Sequence, residues 1–495
     1  MSLDKEHVVD ATLDEGILMY GGGPDPYFLK SGRASRLFFN AGNADSGVMV
    51  ELLEEVYADL MAEDVGDKPV VCFGLPYKCI NVASHAAAGL AKRGCKARWN
   101  SYRKEEKAHG GDAKGILVAR GTNIKDCGGR VAMVDDVITT GTSKYDGQEV
   151  LQQLAKEDGF ELDIMGVYLL VDRQEVTSTN PNESAVKQFE KATGLKVKSY
   201  FTASELIEAG RKRGKVTDEQ YRFCLTYFRV YGCPEVLEVY RSKIDPKILV
   251  QSLFMPVKRS IVPACDFEDI GLFEAMVKAT ADIDLIGGYK IGSMLVEEHG
   301  LGRVVDVVKK HAPKKKAIYD RQKGGTDIPE MVWKQVRQYA RHGYDAHIIF
   351  PSMTGVESML AAIHSGYEHG IHIIVGAYMT HTGFDRADGG CITQEDAARL
   401  YRIAASKGIR NFVMPGTRPD LITFFREALA QDGVKEEAVW SPGLVTQGGN
   451  ISEGGRVAGD NYHAIAGRAI IEKGPGQLNN PDEMRAAAVK LTAQL

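Results

Sequence analysis

The chain has 495 residues, 44% of them hydrophobic, and its 61 basic and 66 acidic side chains leave a formal charge of −5. This length exceeds the size at which one hydrophobic core stops growing, so we expect more than one domain. The small negative charge gives no reason to expect nucleic acid or an anionic membrane as a partner. The acidic amino terminus lacks an apolar core and no apolar stretch approaches about 18 residues, which predicts neither a signal peptide nor a membrane span.

The eight cysteines include no C-x-x-C pair and fall mainly in apolar runs. This pattern is typical of reduced, buried thiols rather than of a disulfide framework. We therefore expect a cytoplasmic location.

Residues 1–215 alternate short β-type runs with helical patterns. The runs include VVCFGL, VAMVDDV and IMGVYLLVD, and the helical patterns include ELLEEVYADLMAE and NVASHAAAGLAKRG. This alternation predicts a parallel α/β sheet.

The most informative stretch is VAMVDDVITTGTS at 131–143. Its apolar run reads as a buried parallel strand, with Asp135 and Asp136 at the carboxyl end and a loop of small residues after them. Carboxylates can accept hydrogen bonds from ribose hydroxyls or hold a hydrated cation, and loop N–H groups and hydroxyls can bind a phosphate. The stretch therefore predicts a sugar-phosphate site, the alternative being a strand that ends in a solvated acidic turn. The loop residues concerned are Thr139, Thr140, Gly141, Thr142 and Ser143.

Several basic residues could surround a leaving pyrophosphate, whose charge grows as the anomeric C–O bond breaks. They are Lys78, Arg103, Lys104 and Lys107. The last two, with His109, lie in a glycine-containing stretch without apolar periodicity, which predicts a flap over the substrate. A charged loop of this kind is also typical of plain solvated surface. Arg173 could bind a carboxylate or imide edge bidentately.

Five segments in this order resemble the orotate phosphoribosyltransferases, which are type I phosphoribosyltransferases. They are FLKSGRASRLFFNAG (28–42), GLPYKCINVA (74–83), YRKEEKAHGG (102–111), the 131–143 stretch and VDRQE (171–175). The resemblance implies that Lys104 and Lys107 are catalytic and that Mg²⁺ arrives with phosphoribosyl diphosphate, with no direct protein ligand. The residues implied to bind phosphoribosyl diphosphate or orotate are Lys30, Phe38, Phe39, Tyr77, Lys78, Arg103, Lys104, Lys107, His109, Asp135, Asp136, Thr139, Thr140, Gly141, Thr142, Ser143 and Arg173.

Residues 201–257 are helical, aromatic and charged, with Gly232–Pro234 and Asp245–Pro246 as breaks. Aromatic residues at helical spacing usually pack in a core. We expect a packed helical connector at 216–257, between domains at 1–215 and 258–495.

From Ile261 onward, apolar runs of β character recur eight times, and helical stretches separate most of them. Eight such units predict a (β/α)₈ TIM barrel, with its chemistry at the carboxyl ends of the strands. An open sheet could show the same alternation. The runs are SIVPACDF (260–267), DLIGGYKIG (284–292), KAIYDRQ (316–322), AHIIFPS (346–352), HIIVGAYM (372–379), RNFVMPG (410–416), AVWSPGL (438–444) and YHAIAGR (462–468).

Polar residues end many of these runs, and the last two runs lead into glycine-rich turns. SPGLVTQGG (441–449) and AGRAII (466–471) follow predicted strands seven and eight, where barrels commonly bind phosphate. The glycines could instead serve only as tight turns. The polar residues are Asp266, Lys290, Asp320, Lys323, Asp327, Ser352, Gln447 and Arg468.

These segments, with DFEDIG (266–271), YKIG (289–292), DRQKGGTDIP (320–329), PSMTG (351–355) and MPGTRP (414–419), resemble orotidine 5′-phosphate decarboxylases. The resemblance implies decarboxylation without metal or cofactor, through a charge network of Lys290, Asp320, Lys323 and Asp327. Asp320 would crowd the substrate carboxylate, Lys323 would protonate C6, and Asp327 would come from the partner subunit of a homodimer. The implied orotidine monophosphate-binding residues are Asp266, Lys290, Asp327, Ser352, Pro415, Gln447, Gly448, Gly467 and Arg468.

The spacing of the charge motif departs from the family pattern. The family has D-x-K-x-x-D, whereas this chain has D-x-x-K-x-x-x-D from Asp320 through Lys323 to Asp327. The assignment of Asp320 depends on how the two added residues fit. The hexulose-phosphate synthases and ketogulonate-phosphate decarboxylases share the acid–lysine–acid theme but use magnesium, and they are the alternative for the second half.

Taken together, the two halves resemble a bifunctional UMP synthase, because the product of the first reaction is the substrate of the second. The substrates implied are orotate, phosphoribosyl diphosphate and orotidine monophosphate. A first domain that only senses phosphoribosyl diphosphate stays open, although the basic flap argues against it.

Overall fold

The computed structural model describes residues 4–21, 25–103, 117–118, 124–139, 141–321, 327–474 and 477–495. The chain divides into two compact units. Unit 1 comprises Met1–Tyr27 and Ser35–Arg241, and unit 2 comprises Phe28–Ala34 and Ser242–Leu495.

Unit 1 is built around a five-stranded parallel sheet of order β6-β5-β7-β8-β9. The apolar runs form its central strands because both faces of these strands are buried. The predicted parallel α/β sheet is confirmed. The elements up to Tyr240 are α1 (Lys5–Asp14), β1 (Leu18–Tyr20), β2 (Tyr27–Phe28), β3 (Ala34–Ser35), β4 (Leu37–Phe39), α2 (Gly47–Val65), β5 (Val70–Gly74), α3 (Cys79–Lys92), β6 (Ala97–Ser101), β7 (Arg130–Ile138), α4 (Thr142–Asp158), β8 (Asp163–Asp172), α5 (Ala185–Thr193), β9 (Val197–Thr202), α6 (Ala203–Lys212), α7 (Asp218–Tyr231) and α8 (Pro234–Tyr240).

Unit 2 contains a closed barrel of the eight parallel strands β10 to β17. This confirms the barrel and excludes the open sheet. The elements from Pro246 on are α9 (Pro246–Leu249), β10 (Arg259–Cys265), α10 (Ile270–Thr280), β11 (Gly288–Gly292), α11 (Ser293–His299), α12 (Leu301–His311), β12 (Lys316–Asp320), α13 (Pro329–Arg341), β13 (Ala346–Ile349), α14 (Val356–His369), β14 (His372–Gly376), α15 (Gln394–Ser406), β15 (Asn411–Val413), α16 (Pro419–Gln431), β16 (Ala438–Ser441), α17 (Ile451–Val457), β17 (Asn461–Ala466), α18 (Arg468–Ile471), β18 (Glu472–Gly474), β19 (Gln477–Leu478) and α19 (Pro481–Thr492).

The expected connector is helical, and its helices are divided between the units. Helices α7 and α8 belong to unit 1, and residues from Ser242 belong to unit 2. Phe254 stacks on His372 and Trp440, with ring centroids 4.4 and 5.6 Å apart. The end of the connector therefore packs against the barrel core, as its aromatic density predicts.

Residues Phe28–Ala34 come from the first half of the sequence but pack within unit 2. The guanidinium of Arg33 is fully buried and donates to both carboxylate oxygens of Glu357, at 3.0 and 2.6 Å. Phe28 meets Trp333 edge to face at 5.9 Å. The barrel unit thus includes a short segment that lies far from it in sequence.

All eight cysteines lie in the described residues, and none of them forms a disulfide bond. Within the described ranges, the chain has no helix with the length and apolarity needed to cross a membrane.

Candidate active sites

Asp135 and Asp136 lie near the carboxyl end of the central strand β7, as predicted. Both are buried, with 7% and 8% of their surface exposed. The hydroxyl of Tyr57 donates to the carbonyl O of Asp135 at 2.9 Å, and each carboxylate accepts the N–H of the next residue. The pair is therefore held by the backbone and by a helix that covers the sheet.

The buried Lys144 lies beside the two aspartates and is paired with Asp135. The ammonium of Lys144 donates to Oδ2 of Asp135 and to the carbonyl O of Val137, the latter at 2.6 Å. The hydroxyl of Ser143 donates to the same Oδ2 at 3.0 Å. Sequence reasoning missed Lys144, although its position immediately after the TGTS loop was a usable signal.

The environment of Asp136 disfavours the charged form of its carboxyl. Burial, reinforced by the charge of Asp135, raises the pKa of Asp136 to about 7, while Lys144 and Lys78 act in the opposite direction. Burial therefore makes the charged form of Asp136 more costly than it is in water.

The loop after β7 leads into the amino terminus of α4. Gly141 adopts φ 82°, a left-handed conformation that favours glycine. Helix α4 begins at Thr142, and the amino terminus of a helix attracts anions such as phosphate. Thr139 is half-buried and Thr142 is exposed. Thr140 lies outside the described residues.

Tyr77 and Lys78 lie where β5 turns into α3. Both are exposed, and the ammonium of Lys78 donates to Oδ1 of Asn40 at 3.2 Å and lies 5.5 Å from the ring centroid of Phe38. Phe39 is buried. The structure thus brings Lys78 and Phe38 together.

Arg103 is half-buried at the end of the described segment 25–103. The flap residues Lys104, Lys107 and His109 lie outside the described residues. Lys30 is exposed in the Phe28–Ala34 segment, which belongs to unit 2.

Arg173 is buried in a polar network just after β8. Its Nε donates to Oε1 of Glu175 at 2.6 Å, and its Nη2 lies 3.2 Å from Oγ of Ser35. The hydroxyl of Tyr227 donates to the same oxygen of Glu175 at 2.6 Å. Glu175 was missed as a partner, although it lies within the VDRQE segment.

The centre of the barrel site is Lys290, the middle residue of β11. Its ammonium donates to Oδ2 of Asp320 at 2.7 Å and to the two oxygens of Asp266 at 3.0 and 3.2 Å. Burial lowers the pKa of Lys290, but the charges of Asp320 and Asp266 outweigh burial and raise it above its ordinary value. Lys290 therefore stays charged.

Parallel register explains why these residues meet. Lys290 pairs with Ala264 on β10 and with Ile318 on β12, so Asp266 and Asp320 both follow its neighbours by two residues. Residues two apart on a strand point to the same face.

Glycine at 292 leaves room for Asp266. A Cβ at Gly292 would lie 2.3 Å from Oδ1 of Asp266. A side chain at this position would displace the carboxylate that Lys290 holds.

A cavity of about 380 Å³ opens above this charge network. Of the predicted residues, it is lined by Asp266, Lys290, Asp320, Gln447, Gly467 and Arg468. Gln447 accepts a hydrogen bond from the hydroxyl of Thr380 at 3.0 Å. Sequence reasoning missed the lining residues Phe267, Tyr378 and Thr380. Phe267 directly follows Asp266 in the DFEDIG segment, which was a usable signal, whereas the run that ends before Thr380 carries no charged motif.

Four other predicted barrel residues belong to the described part of the chain and are not among those that line this cavity. Ser352 donates to the carbonyl O of Ala377 at 3.1 Å, and Pro415 is buried. Gly448 follows Gln447 with φ 91°. Asp327 is half-buried and accepts the N–H of Ile328 at 2.7 Å. Lys323 lies outside the described residues.

The two halves of the chain are similar to two different kinds of known protein. Residues 260–478 match the model of the orotidine 5′-phosphate decarboxylase / HUMPS family. The orotate phosphoribosyltransferase of Clostridium acetobutylicum is 32% identical over 234 residues, which cover 46% of this chain and 97% of the relative. That of Stenotrophomonas maltophilia is 35% identical over 208 residues, which cover 42% and 87%.

One similar solved structure is orotidine 5′-monophosphate decarboxylase from Methanocaldococcus jannaschii in complex with the inhibitor BMP. It is 22% identical, covers 48% of this chain and 97% of its own, and has a TM-score of 0.40.

The chain belongs to the orotate phosphoribosyltransferase family through its first half. Its second half carries the decarboxylase-family match, so the chain has the fused architecture of a two-enzyme protein.

Proposed function

We propose that the chain makes UMP in two steps. Its first half transfers ribose phosphate from phosphoribosyl diphosphate to orotate, releasing diphosphate, and its second half removes CO₂ from the resulting orotidine 5′-phosphate. The observation that carries this proposal is the joining of a transferase-family sequence to a barrel that matches the decarboxylase family.

In the transferase step, Asp135 and Asp136 would hold the ribose hydroxyls. The Gly141 loop and the amino terminus of α4 would bind the 5′-phosphate through N–H groups. Lys78 supplies positive charge on the side where diphosphate would leave, and Lys104 and Lys107 would add to it as the C–O bond breaks. The guanidinium of Arg173 would donate two parallel hydrogen bonds to orotate, and Glu175 would fix the orientation of that guanidinium.

Mg²⁺ enters this step as part of the substrate. The Sγ of Cys79 and one carboxylate oxygen each of Asp135 and Asp136 lie within 4.8 Å of one another. These three groups do not fit a resident magnesium ion. Magnesium prefers oxygen ligands, whereas burial raises the pKa of the Cys79 thiol well above its usual value and Asp135 is already engaged by Lys144. We therefore assign no protein ligand to the metal.

In the decarboxylation step, the charged side chains of the barrel site would act directly on the substrate. Asp320, held by Lys290, would lie against the substrate carboxylate and destabilise it relative to the transition state. Lys323 would deliver the proton to C6 as CO₂ leaves. Gln447 and Arg468, which line the same cavity as Asp320, would hold the phosphate, so phosphate binding would help to fix the carboxylate beside Asp320.

The magnesium-dependent barrel enzymes and a phosphoribosyl-diphosphate sensor are not favoured as the alternative. The chain spans 97% of a relative named as a transferase, which supports catalysis in the first half.

We further propose domain limits of 1–215, 216–257 and 258–495, a homodimer in which Asp327 reaches the partner's site, and a cytoplasmic location. The eight cysteines, none of which forms a disulfide bond, support a reducing compartment.

The test is to incubate the purified full chain with orotate, phosphoribosyl diphosphate and Mg²⁺ and to follow diphosphate and CO₂ together. We expect equal amounts of both products, with UMP as the final nucleotide. Diphosphate without CO₂ would refute the decarboxylase assignment, and no diphosphate would refute the transferase assignment.

Matched variants assign each step to its site. Asp135→Asn with Asp136→Asn should abolish diphosphate release but leave decarboxylation of added orotidine 5′-phosphate intact. Lys323→Ala should have the opposite effect, with orotidine 5′-phosphate accumulating. A folded variant that loses both activities would contradict two separate sites.

A further inference from the structure

Lys144 is a buried cation in the middle of the candidate ribose site. Only 3% of its surface is exposed. Its ammonium donates to Oδ2 of Asp135, to the carbonyl O of Val137 at 2.6 Å and to Oγ of Ser143 at 3.2 Å. A lysine is rarely buried unless a partner compensates its charge, and here the partner is Asp135.

The oxygens of Asp135 are already engaged by donors. Oδ1 accepts the N–H of Asp136 at 3.0 Å, and Oδ2 accepts from Lys144 and from Ser143. Of the neighbouring carboxylate, Oδ1 accepts the N–H of Val137 at 2.8 Å. A divalent cation that bound between the two carboxylates would have to displace the ammonium of Lys144.

We propose that Lys144 is the resident counter-cation of the Asp135–Asp136 pair, which positions Asp135 and keeps the pair closed to divalent metal. Lys144 is a positioning residue and touches no substrate. The proposal rests on the transferase function proposed above.

The positive charge of Lys144 would reduce the repulsion between the two aspartates and the substrate. Phosphoribosyl diphosphate is a polyanion, and two uncompensated carboxylates at its ribose would repel it. Lys144 cancels one of the two charges without a metal, and burial strengthens the attraction because the local dielectric constant is low. Magnesium can then bind with the diphosphate rather than be trapped by the protein.

The test measures metal binding without turnover. The substrate-free full chain is titrated with Mn²⁺ and followed by electron paramagnetic resonance, for wild type, Lys144→Met and Lys144→Gln. The exposed Lys156 lies on the same helix α4, and Lys156→Met is the matched control. We expect the two Lys144 variants to gain a Mn²⁺ site at least about tenfold tighter than any in wild type, and adding Asp136→Asn to remove it.

A kinetic readout separates positioning from a general structural role. At saturating Mg²⁺, Lys144→Met should raise KM for phosphoribosyl diphosphate by at least about tenfold while kcat changes by less than about threefold. Lys156→Met should change neither value, and circular dichroism should show both variants folded.

Two outcomes would overturn the proposal. One is a folded Lys144→Met chain that binds Mn²⁺ no better than wild type and keeps its KM. The other is a stoichiometric Mn²⁺ site in wild type that Asp136→Asn removes, and this titration decides the matter even if neither neutral variant folds. Because the Mn²⁺ titration needs no product formation, its failure is distinct from a failure of the transferase assignment.

Discussion

The ammonium of Lys290 lies 2.7 Å from Oδ2 of Asp320, and both side chains are about 95% buried. Removing one partner of such a pair leaves an uncompensated buried charge. We expect Lys290→Met to abolish decarboxylation and to destabilise unit 2 by about 3 kcal/mol, while magnesium-dependent diphosphate release persists. Both activities and chemical unfolding can be measured on the same preparation. The exposed Lys310 provides the matched control, and Lys310→Met should keep both activities.

Chelation should separate the two reactions. Only the transferase substrate carries a diphosphate whose charge a metal must neutralise. We expect EDTA to stop diphosphate release from orotate and phosphoribosyl diphosphate but to leave CO₂ release from added orotidine 5′-phosphate unchanged. Loss of CO₂ release in EDTA, restored by Mg²⁺, would favour the magnesium-dependent barrel enzymes instead.

The buried pair Arg33–Glu357 should stabilise unit 2 although Arg33 lies in the first half of the sequence. Its side chain is fully buried and that of Glu357 is 23% exposed. Arg33→Met should lower the free energy of unfolding of unit 2 by about 3 kcal/mol, because Glu357 loses the guanidinium to which it is paired. Adding Glu357→Leu should recover most of this loss, since apolar replacement of both partners is often neutral. Chemical unfolding of the single and double variants tests this, and a double variant no more stable than the single one would contradict it.

Two buried histidines, His347 and His463, and the half-buried His372 should make unit 2 sensitive to acid. Burial lowers the pKa of His347 and His372 to about 4 and that of His463 to about 3. The unfolded chain binds these protons near pH 6.5, so stability is fully present above that pH and is lost as the pH falls toward 4. Each histidine contributes a slope of up to about 1.4 kcal/mol per pH unit.

Unfolding free energies measured across this range test the sign of the effect. His347→Gln should reduce the slope of the unfolding free energy against pH by up to about 1.4 kcal/mol per pH unit, which corresponds to one bound proton. A substitution of the exposed His381 should leave this slope unaltered. A slope in His347→Gln equal to that of wild type would show that His347 does not contribute.

Mixing variant chains tests the proposed role of Asp327 across a dimer interface. If Lys323 and Asp327 of different chains share a site, then Lys323→Ala chains mixed with Asp327→Asn chains form one intact site per heterodimer. We expect decarboxylation to recover to about half of wild type per heterodimer. If subunits exchange without recovery, the two residues belong to one chain's site, and the roles assigned to 320–327 would be withdrawn.

The sequence by itself determined the two architectures and where along the chain many residues of the candidate sites lie. Strand runs that are buried on both faces must be apolar, so VAMVDDV and the eight later runs were readable, and the ends of parallel strands mark where polar side chains gather. Asp135, Asp136, Asp266, Lys290 and Asp320 followed from that rule.

Only the tertiary structure decided which charges are paired. Lys144 bonds to Asp135 because the turn at Gly141 folds α4 back over the strand end, and Glu175 bonds to Arg173 around Gln174, whose φ is 56°. The placement of Phe28–Ala34 in the barrel unit has no local signal. Pairing depends on distances across the fold, whereas periodicity and propensity describe only neighbours along the chain.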